Sequence, residues 1–382
     1  MKKRSHKKFR MFSIRAGLDL PFLIIVLVLV ATGLVMLFSA SYANAYYLYG
    51  DSYYFIKSQL PMAIFGIAGM IFVSYFDYHH LHKFALLSVA LSFVLLVLVL
   101  FMPAVNDVHR WVQLGSFSFQ ASEITKFAVV LFFAHSISVN FKKMGTFKYG
   151  ILPYMCLLIP TIILLLLEPH ISCVVIVVTL AVIMLFIGGV KLRWFALALI
   201  VLLVAAYILY AAGKFGYANT RIMGWLDPFN KDIWQETWQT RNSLYAIGSG
   251  GLLGLGLGNS RQKYLYLPEP QNDFIFAVVC EELGFIGAVI ILLLFALLVW
   301  RGITISIRSK DKFGSLLGIG LTVQVGLQAV LNVGVVTNIL PNTGISLPFF
   351  SHGGTSLIIL LLEMGVVLSI SRTSRIEKAF AT

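Results

Sequence analysis

Charged side chains are scarce in this sequence of 382 residues: they make up 12% of the chain, where a soluble globular protein carries roughly 25%. Hydrophobic residues make up 59%, and the mean hydropathy is +0.89. This composition excludes an ordinary soluble domain. We expect an all-α, polytopic membrane protein with about ten transmembrane helices and one large extracytoplasmic loop.

Cysteine is also rare, which excludes a disulfide framework and a zinc-binding spacing. The three cysteines lie in or beside apolar runs, at Cys156, Cys173 and Cys280. We interpret them as small packing residues. His79, His80 and His82 have no fourth metal ligand nearby in the sequence. We therefore interpret this segment as a solvent-exposed loop rather than a metal site.

Long apolar runs dominate the rest of the chain, and ten of them are long enough to cross a bilayer. They are residues 20–42, 60–76, 84–103, 124–139, 151–167, 173–189, 194–212, 274–300, 314–336 and 356–371. An even number of spans puts both termini on the same side of the membrane.

The sequence has only 16 acidic residues against 29 Lys and Arg residues. The positions of the basic residues indicate the orientation of the chain in the membrane. Twenty of the 29 fall on the side that holds the termini, and short cytoplasmic loops retain such residues. We predict a cytoplasmic tail at 1–18, a membrane domain at 19–371 with an extracytoplasmic loop at 213–273, and a cytoplasmic tail at 372–382. The dispersed positive charge indicates anionic lipid as a partner rather than nucleic acid.

The stretch of residues 263–284, KYLYLPEPQNDFIFAVVCEELG, turns from polar to apolar at Phe274. Four acids lie at or just inside this membrane boundary, at Glu269, Asp273, Glu281 and Glu282. Carboxylates at the rim of hydrocarbon are costly to desolvate, which favours a functional site. The alternative is that Asp273 caps the helix that follows it.

A second polar segment, residues 106–126, is predicted to follow the third span on the outer side. Glu123 and Lys126 are three residues apart, so on a helix they share one side. One interpretation is a mutual ion pair that only locks helices together. The other is that Arg110 and Lys126 offer positive charge to an anion near the outer surface.

Three further features are candidates for the same outer site. Glu168 and His170 flank Pro169 at the outer end of a predicted membrane helix. Their side chains either face a cavity or are ordinary residues at the membrane boundary. Glycines 250, 254 and 258 have the small-xxx-small spacing of closely approaching helices, and they make a poor nucleotide loop. The irregular segment 337–356 needs a cover of protein or a watery cavity, which makes Ser351 and His352 candidate lining residues.

Several of these segments resemble signature segments of the SEDS (shape, elongation, division and sporulation) family. They are RWVQLGSFSFQASEITK, AIGSGGLLGLGLG, LPEPQNDFIFAVVCEELGFIG and ILPNTGISLPFFSHGGTS. Their order and spacing match the family's, and TGISLPFF and GLVMLFSASYA look more like its division-type branch than its elongation-type branch. A sporulation-type relative stays open.

The resemblance implies a peptidoglycan glycosyltransferase that polymerises lipid II at the outer face of the bacterial cytoplasmic membrane. It implies Asp273 as the catalytic residue, with Arg110, Glu123 and Lys126 on motif positions of a central cavity. The predicted substrate-binding set also includes Lys263, Glu269, Ser351 and His352, of which the last three lie in the other matching segments. Where the family often has Gln-Pro-Asp-Leu-Gly-Thr, this chain has Glu168 to Cys173 and loses that aspartate.

The chemistry needs one base, because a lipid diphosphate leaves as a stable anion once positive charge or a metal meets it. Asp273 is the predicted base, and Arg110 and Lys126 are the predicted anion partners. A divalent cation, Mg²⁺ or Mn²⁺, is a candidate cofactor, although the sequence shows no ligand set.

The expected partners are lipid II and the growing lipid-linked glycan, a class B penicillin-binding protein and other division membrane proteins. The alternatives from other classes are a flippase for lipid-linked precursors and a non-catalytic scaffold of the division machinery. A flippase predicts charged or broken-helix features near mid-membrane, whereas most ionisable candidates here lie toward the outer side. Glu363 is the exception, and it should face the bundle interior.

Overall fold

The structure is a computed structural model that describes residues 17–103, 109–114, 117–200 and 222–379. Within these ranges eight helices are long and apolar enough to cross a membrane, and a ninth apolar helix, Ile171–Ile187, is shorter. The chain is therefore an all-α, multi-pass membrane protein, as its composition predicts.

Ten helices organise the described part of the chain. They are α1 (Leu20–Tyr49), α2 (Tyr54–Tyr75), α3 (Leu81–Val99), α4 (Ala121–Asn140), α5 (Leu152–Leu167), α6 (Ile171–Ile187), α7 (Trp238–Gly250), α8 (Ile275–Ile307), α9 (Lys312–Val336) and α10 (Thr355–Ala379). All but α7 coincide with predicted spans. The predicted span 194–212 is helical over residues 194–200, and its remainder lies outside the described residues.

The first helix shows why the predicted span ends were too short. Asp19 caps α1 by accepting a hydrogen bond from the Phe22 amide, and Gly50 ends it in the left-handed conformation. The 30 residues between are about 45 Å long, more than the roughly 30 Å of hydrocarbon. The helix thus continues past the predicted end at residue 42 into its exposed tyrosines.

Burial separates the interior helices from the peripheral ones. In the most apolar windows, 78% of the α10 residues, 61% of α9 and 56% of α4 are buried, against 22% for α2 and α3. α10 packs along α2, and α9 packs along both α8 and α4. The interior of the bundle is therefore built by α4, α9 and α10.

A short β-hairpin leads into α4. Strand β1 (Trp111–Leu114) pairs antiparallel with β2 (Phe117–Gln120), so that Val112 lies opposite Phe119. The pairing of these two strands was not predicted from the sequence. The hairpin places Arg110 just before β1 and delivers Glu123 into the first turn of α4.

Helix α8 is broken near its start. Gly284 has φ 67° and ψ −170° inside the helix. The chain at residues 251–256 lies against this break, and the amides of Leu255 and Gly256 donate to the carbonyls of Glu281 and Glu282. In return, the amides of Phe285 and Ile286 donate to the carbonyls of residues 251 and 252. The loop thereby accepts and donates the hydrogen bonds that a continuous helix would make with itself.

Candidate active site

Asp273 ends the long loop two residues before α8. Phe274 occupies the N-cap position and no side chain caps the helix, so the capping interpretation of Asp273 is not supported. The Asp273 carbonyl accepts a hydrogen bond of 2.7 Å from the Asn332 side-chain amide, which also donates to the Ile345 carbonyl at 2.6 Å. Helix α9 thus fixes Asp273 against the irregular segment before α10.

The carboxylate of Asp273 accepts no hydrogen bond from any described residue. Its nearest constraint is Gly344, where a Cβ would lie 3.1 Å from Oδ2 and where φ is +69°. Burial and the neighbouring Glu269 carboxylate raise the pKa of Asp273 to about 6, although Arg110 opposes this shift. The group is therefore poised to accept a proton near neutral pH.

Arg110 connects this carboxylate to the turn between α5 and α6. Its Nε donates to the Glu168 carbonyl at 3.4 Å, and its Nη2 donates to the Pro169 carbonyl. Its charge acts on Asp273 and on both polar side chains of that turn. The structure thus brings Arg110 and Asp273 to the same end of the bundle.

Glu168 and His170 face inward, which decides between the two interpretations of their position. Glu168 is fully buried and His170 is 7% exposed. Neither the Glu168 carboxyl oxygens nor Nδ1 of His170 has a hydrogen-bond partner among the described residues. Burial raises the pKa of Glu168 to about 8 and lowers that of His170 to about 3, so both side chains are neutral at pH 7.

Lys126 and Glu123 form an ion pair of 2.8 Å within α4, between side chains that are 3% and 14% exposed. The ion pair that the sequence suggested is present, although it links two residues of one helix rather than two helices. Lys126 also interacts electrostatically with Glu363 of α10, whose carboxylate accepts from the Gln324 amide and is 2% exposed. Glu363 faces the bundle interior as predicted.

A small polar cavity brings Glu123 and Ser351 together, and Gln328 of α9 also lines it. The Ser351 hydroxyl donates to the Asn272 carbonyl at 2.8 Å and accepts from the Leu347 amide. Ser351 therefore holds the residue beside Asp273. His352 lies farther out: its amide donates to the Gln271 carbonyl, while its ring contacts Ser58 and Phe55 of α2.

Glu269 lies beside Asp273, where its carboxylate accepts from the Asn272 side-chain amide at 2.9 Å. Lys263 is placed elsewhere. Its ammonium is 2% exposed and donates to Glu282, to Ser39 of α1 and to the Gly258 carbonyl. Because these three oxygens satisfy its three donors, the structure argues against the predicted role of Lys263 in substrate binding.

The glycine run serves close packing rather than phosphate binding. A Cβ at Gly250 would lie 2.0 Å from the Cys280 carbonyl oxygen, and one at Gly254 would lie 2.2 Å from that of Glu282. The amides of Gly254, Gly256 and Gly258 all donate to protein oxygens. The close approach predicted from the spacing is confirmed at Gly250 and Gly254 but not at Gly258, where a Cβ would meet no atom of a described residue within 4 Å. The last two glycines lie in a loop and not in a helix.

Two residues of the site were missed by the sequence analysis. Asn332 is fully buried in the middle of an apolar run, and Gly344 stands beside the carboxylate in a left-handed conformation. A buried amide in a membrane helix and a glycine in TGIS were the available signals. Neither residue type points to chemistry by itself, because each acts here through the position of Asp273.

The described residues contain no group of three or more His, Cys, Asp or Glu side chains arranged to hold a metal ion. The described side chains around Asp273 therefore do not form a preassembled site with three protein ligands. What they provide is one carboxylate of raised pKa, a guanidinium within electrostatic range and two neutral polar side chains. This arrangement can accept a proton and attract an anion.

Comparison with known proteins agrees with the fold and the motifs. Residues 20–376 match the FtsW, RodA and SpoVE family, described as cell cycle proteins. Stage V sporulation protein E of Bacillus subtilis is 40% identical over 94% of this chain and 98% of its own length. A probable peptidoglycan glycosyltransferase FtsW of Geobacter sp. strain M18 is 37% identical, with the same two coverages.

Solved structures give the same result. One is a chain of a peptidoglycan synthase complex that coordinates polymerization and crosslinking, with a TM-score of 0.77 at 26% identity over 94% of this chain and 98% of that one. Another is the rod shape determining protein RodA of Thermus thermophilus, with a TM-score of 0.67 at 26% identity over 93% and 97%. The chain therefore belongs to the FtsW, RodA and SpoVE family, which is the SEDS family that its motifs resemble.

Proposed function

We propose that this protein is a peptidoglycan glycosyltransferase that polymerises lipid II and uses Asp273 as its general base. The observation that carries the proposal is the state of the Asp273 carboxylate, which has a pKa raised to about 6 and accepts no hydrogen bond from a described residue. The names of relatives such as the Geobacter FtsW support the activity. The neighbouring backbone is held by Asn332 and Ser351, which keeps the base in place.

In the proposed step, Asp273 removes the proton of a sugar hydroxyl on the acceptor. The hydroxyl oxygen attacks the anomeric carbon of the lipid-linked donor as the bond from that carbon to the diphosphate oxygen breaks, which inverts the configuration. The lipid diphosphate leaves with the bonding electrons, and Arg110 stabilises its charge. Lys126 contributes less to this charge than the sequence suggested, because Glu123 already pairs with it.

Neutral Glu168 and His170 suit hydrogen bonding to the sugar or diphosphate beside Arg110, since unpartnered buried polar atoms are costly in the free enzyme. Ser351 and Glu269 act through Asp273. Ser351 fixes the position of Asp273, and Glu269 raises its pKa. We assign no step to a protein-held metal ion, because the described residues contain no group of three candidate ligands. Mg²⁺ or Mn²⁺ carried by the diphosphate itself is compatible with the step.

The proposed site lies on the extracytoplasmic side, with both termini cytoplasmic, as the distribution of basic residues favours. A class B penicillin-binding protein is the proposed partner, and the likeness to a chain of a peptidoglycan synthase complex supports it. Cell division is the proposed process. Sporulation is the specific alternative, because the relative from Bacillus subtilis is a sporulation protein. Complementation of division and sporulation mutants separates the two processes.

The test of the activity uses the purified protein with lipid II, with and without the partner transpeptidase, and measures glycan strands. Asp273→Asn should abolish synthesis, whereas Asp232→Asn, an exposed acid of the same loop, should leave it unchanged. Full synthesis by Asp273→Asn contradicts the assignment of the base. Translocation of labelled lipid II in vesicles without any synthesis would favour the flippase instead.

A further inference from the structure

Arg241 is a buried cation that forms no ion pair with a described residue. It lies in the first turns of α7, and its side chain is 1% exposed. Its Nη2 donates to the Trp234 carbonyl, while Nε and Nη1 have no hydrogen-bond partner among the described residues. No described acid forms an ion pair with it, although Asp232 and Glu236 are close in sequence. A buried charge in this state needs a partner.

Two tryptophans cover the guanidinium. It lies 3.1 Å from the ring centroid of Trp234 and 5.6 Å from that of Trp238. The two rings are themselves 43% and 39% exposed. The guanidinium is therefore covered by aromatic side chains that are themselves partly exposed.

The N-terminus of α7 adds positive potential at the same place. The Thr237 side chain makes no cap hydrogen bond, and the first turn carries no acid. Helical side chains lean toward the helix N-terminus, and the contact with Trp234, seven residues earlier, puts the guanidinium there. A helix N-terminus and an unpaired guanidinium thus converge, and both favour an anion.

The surroundings indicate where such an anion comes from. The segment before and within α7 exposes several large apolar side chains: Ile222, Met223, Leu226, Phe229, Trp234, Trp238 and Tyr245. In a multi-pass membrane protein, exposed apolar and tryptophan side chains next to polar groups suit the lipid headgroup region. The guanidinium fork matches phosphate oxygens.

We propose that Arg241, Trp234 and the N-terminus of α7 form a binding site for a phosphate oxyanion, supplied by the headgroup of an anionic membrane lipid. The phosphate accepts from the free Nε and Nη1 of Arg241, and the tryptophans contact the glycerol and the upper acyl chain. Arg241 is not among the groups that shift the pKa of Asp273, which are Glu269 and Arg110.

The experiment uses the full-length protein in nanodiscs of phosphatidylcholine with increasing phosphatidylglycerol, and native mass spectrometry counts the retained phosphatidylglycerol. The wild type should retain this lipid with an apparent affinity at least tenfold higher than Arg241→Gln and Arg241→Met. Arg241→Lys, which keeps the charge and loses the fork, should be intermediate. Arg261→Gln is the matched control, because Arg261 is an exposed arginine of the same loop.

Thermal unfolding provides a second measurement, and a cooperative transition of each variant in phosphatidylcholine alone shows that the variant is folded. Phosphatidylglycerol should raise the melting temperature of the wild type and of Arg261→Gln, and not that of Arg241→Gln. Competition by inorganic phosphate supports recognition of the phosphate. Binding of inorganic phosphate without retention of the lipid overturns the lipid as its source. Equal lipid retention by the wild type and Arg241→Gln overturns the site.

Discussion

The ammonium of Lys263 lies 2.9 Å from Oε1 of Glu282, and the two side chains are 2% and 0% exposed. The Ser39 hydroxyl donates to both oxygens of the same carboxylate, and the amides of Gly258 and Ser260 donate to it as well. One carboxylate on the first segment of α8 therefore holds α1 and the loop that leads to Asp273. The ion pair of Lys263 and Glu282 therefore has a structural role, because it holds the loop that precedes Asp273, the candidate base.

Breaking this pair should destabilise the protein strongly. Lys263→Met leaves the buried Glu282 carboxylate with its hydroxyl and amide donors but without its counter-charge, which costs about 3–5 kcal/mol. The measurement is thermal or denaturant unfolding in detergent. The double variant Lys263→Met/Glu282→Leu should recover part of the loss, since it removes both charges. If the two substitutions lowered the free energy of unfolding additively in the double variant, that would contradict the pairing. The control is Lys231→Met at an exposed lysine, which should change the free energy of unfolding by less than about 0.5 kcal/mol.

Two glycines two residues apart in α7 should respond in opposite ways to alanine. A Cβ at Gly250 would overlap the Cys280 carbonyl oxygen at 2.0 Å, whereas one at Gly248 meets nothing within 4 Å. Gly250→Ala should displace the loop from α8 and reduce both stability and synthesis. Gly248→Ala should be neutral or stabilise the helix by up to about 1 kcal/mol. Expression level, melting temperature and strand synthesis measure the difference, and equal behaviour of the two variants would argue against the close approach.

The rate of synthesis should depend on the protonation of Asp273. Because the base must be ionised and its pKa is raised to about 6, the rate should fall as the pH is lowered through about 6. Glu269→Gln removes a carboxylate that raises this pKa, so the acid limb of the profile should move to lower pH. The measurement is kcat/KM for lipid II from pH 5 to 8. An unmoved acid limb in Glu269→Gln would show that another group titrates.

Stability should change in the opposite direction to activity when Asp273 is neutralised. Its pKa is raised from 3.8 to about 6 in the folded protein, so its contribution to stability is present below pH 3.8 and is lost as the pH rises through 6. The Asp273→Asn variant has no titrating carboxyl group at this position, so its stability does not fall in this way as the pH rises. The variant should therefore unfold at a higher temperature than the wild type at pH 7, with a smaller difference at pH 4. A lower melting temperature at pH 7 would indicate that the ionised carboxylate is instead stabilised by the fold.

The sequence predicted those features that depend on neighbouring residues. Hydropathy is local, so nine of the ten spans coincide with helices, and the position of Asp273 at a membrane boundary follows from the same pattern. The buried ion pair of Lys263 was not predicted because its partners are Glu282, nineteen positions later, and Ser39 on the first helix. The anchoring of Arg110 on the carbonyls of residues 168 and 169 likewise needs tertiary contacts. Pairing of β1 with β2 was missed because alternation alone does not distinguish a hairpin from a surface segment.

The hydrogen bonds between α8 and the loop at the Gly284 break make two backbone amides useful probes of the contact between these segments. The amide protons of Phe285 and Ile286 are held by the carbonyls of residues 251 and 252, so their protection from deuterium exchange lasts only while that loop stays docked. A partner protein or substrate that loosens the segment carrying Asp273 will accelerate exchange at these two amides and leave the rest of α8 slow. Labelling kinetics at positions 285 and 286 therefore record, in the intact protein, whether the loop that leads to Asp273 is docked against α8.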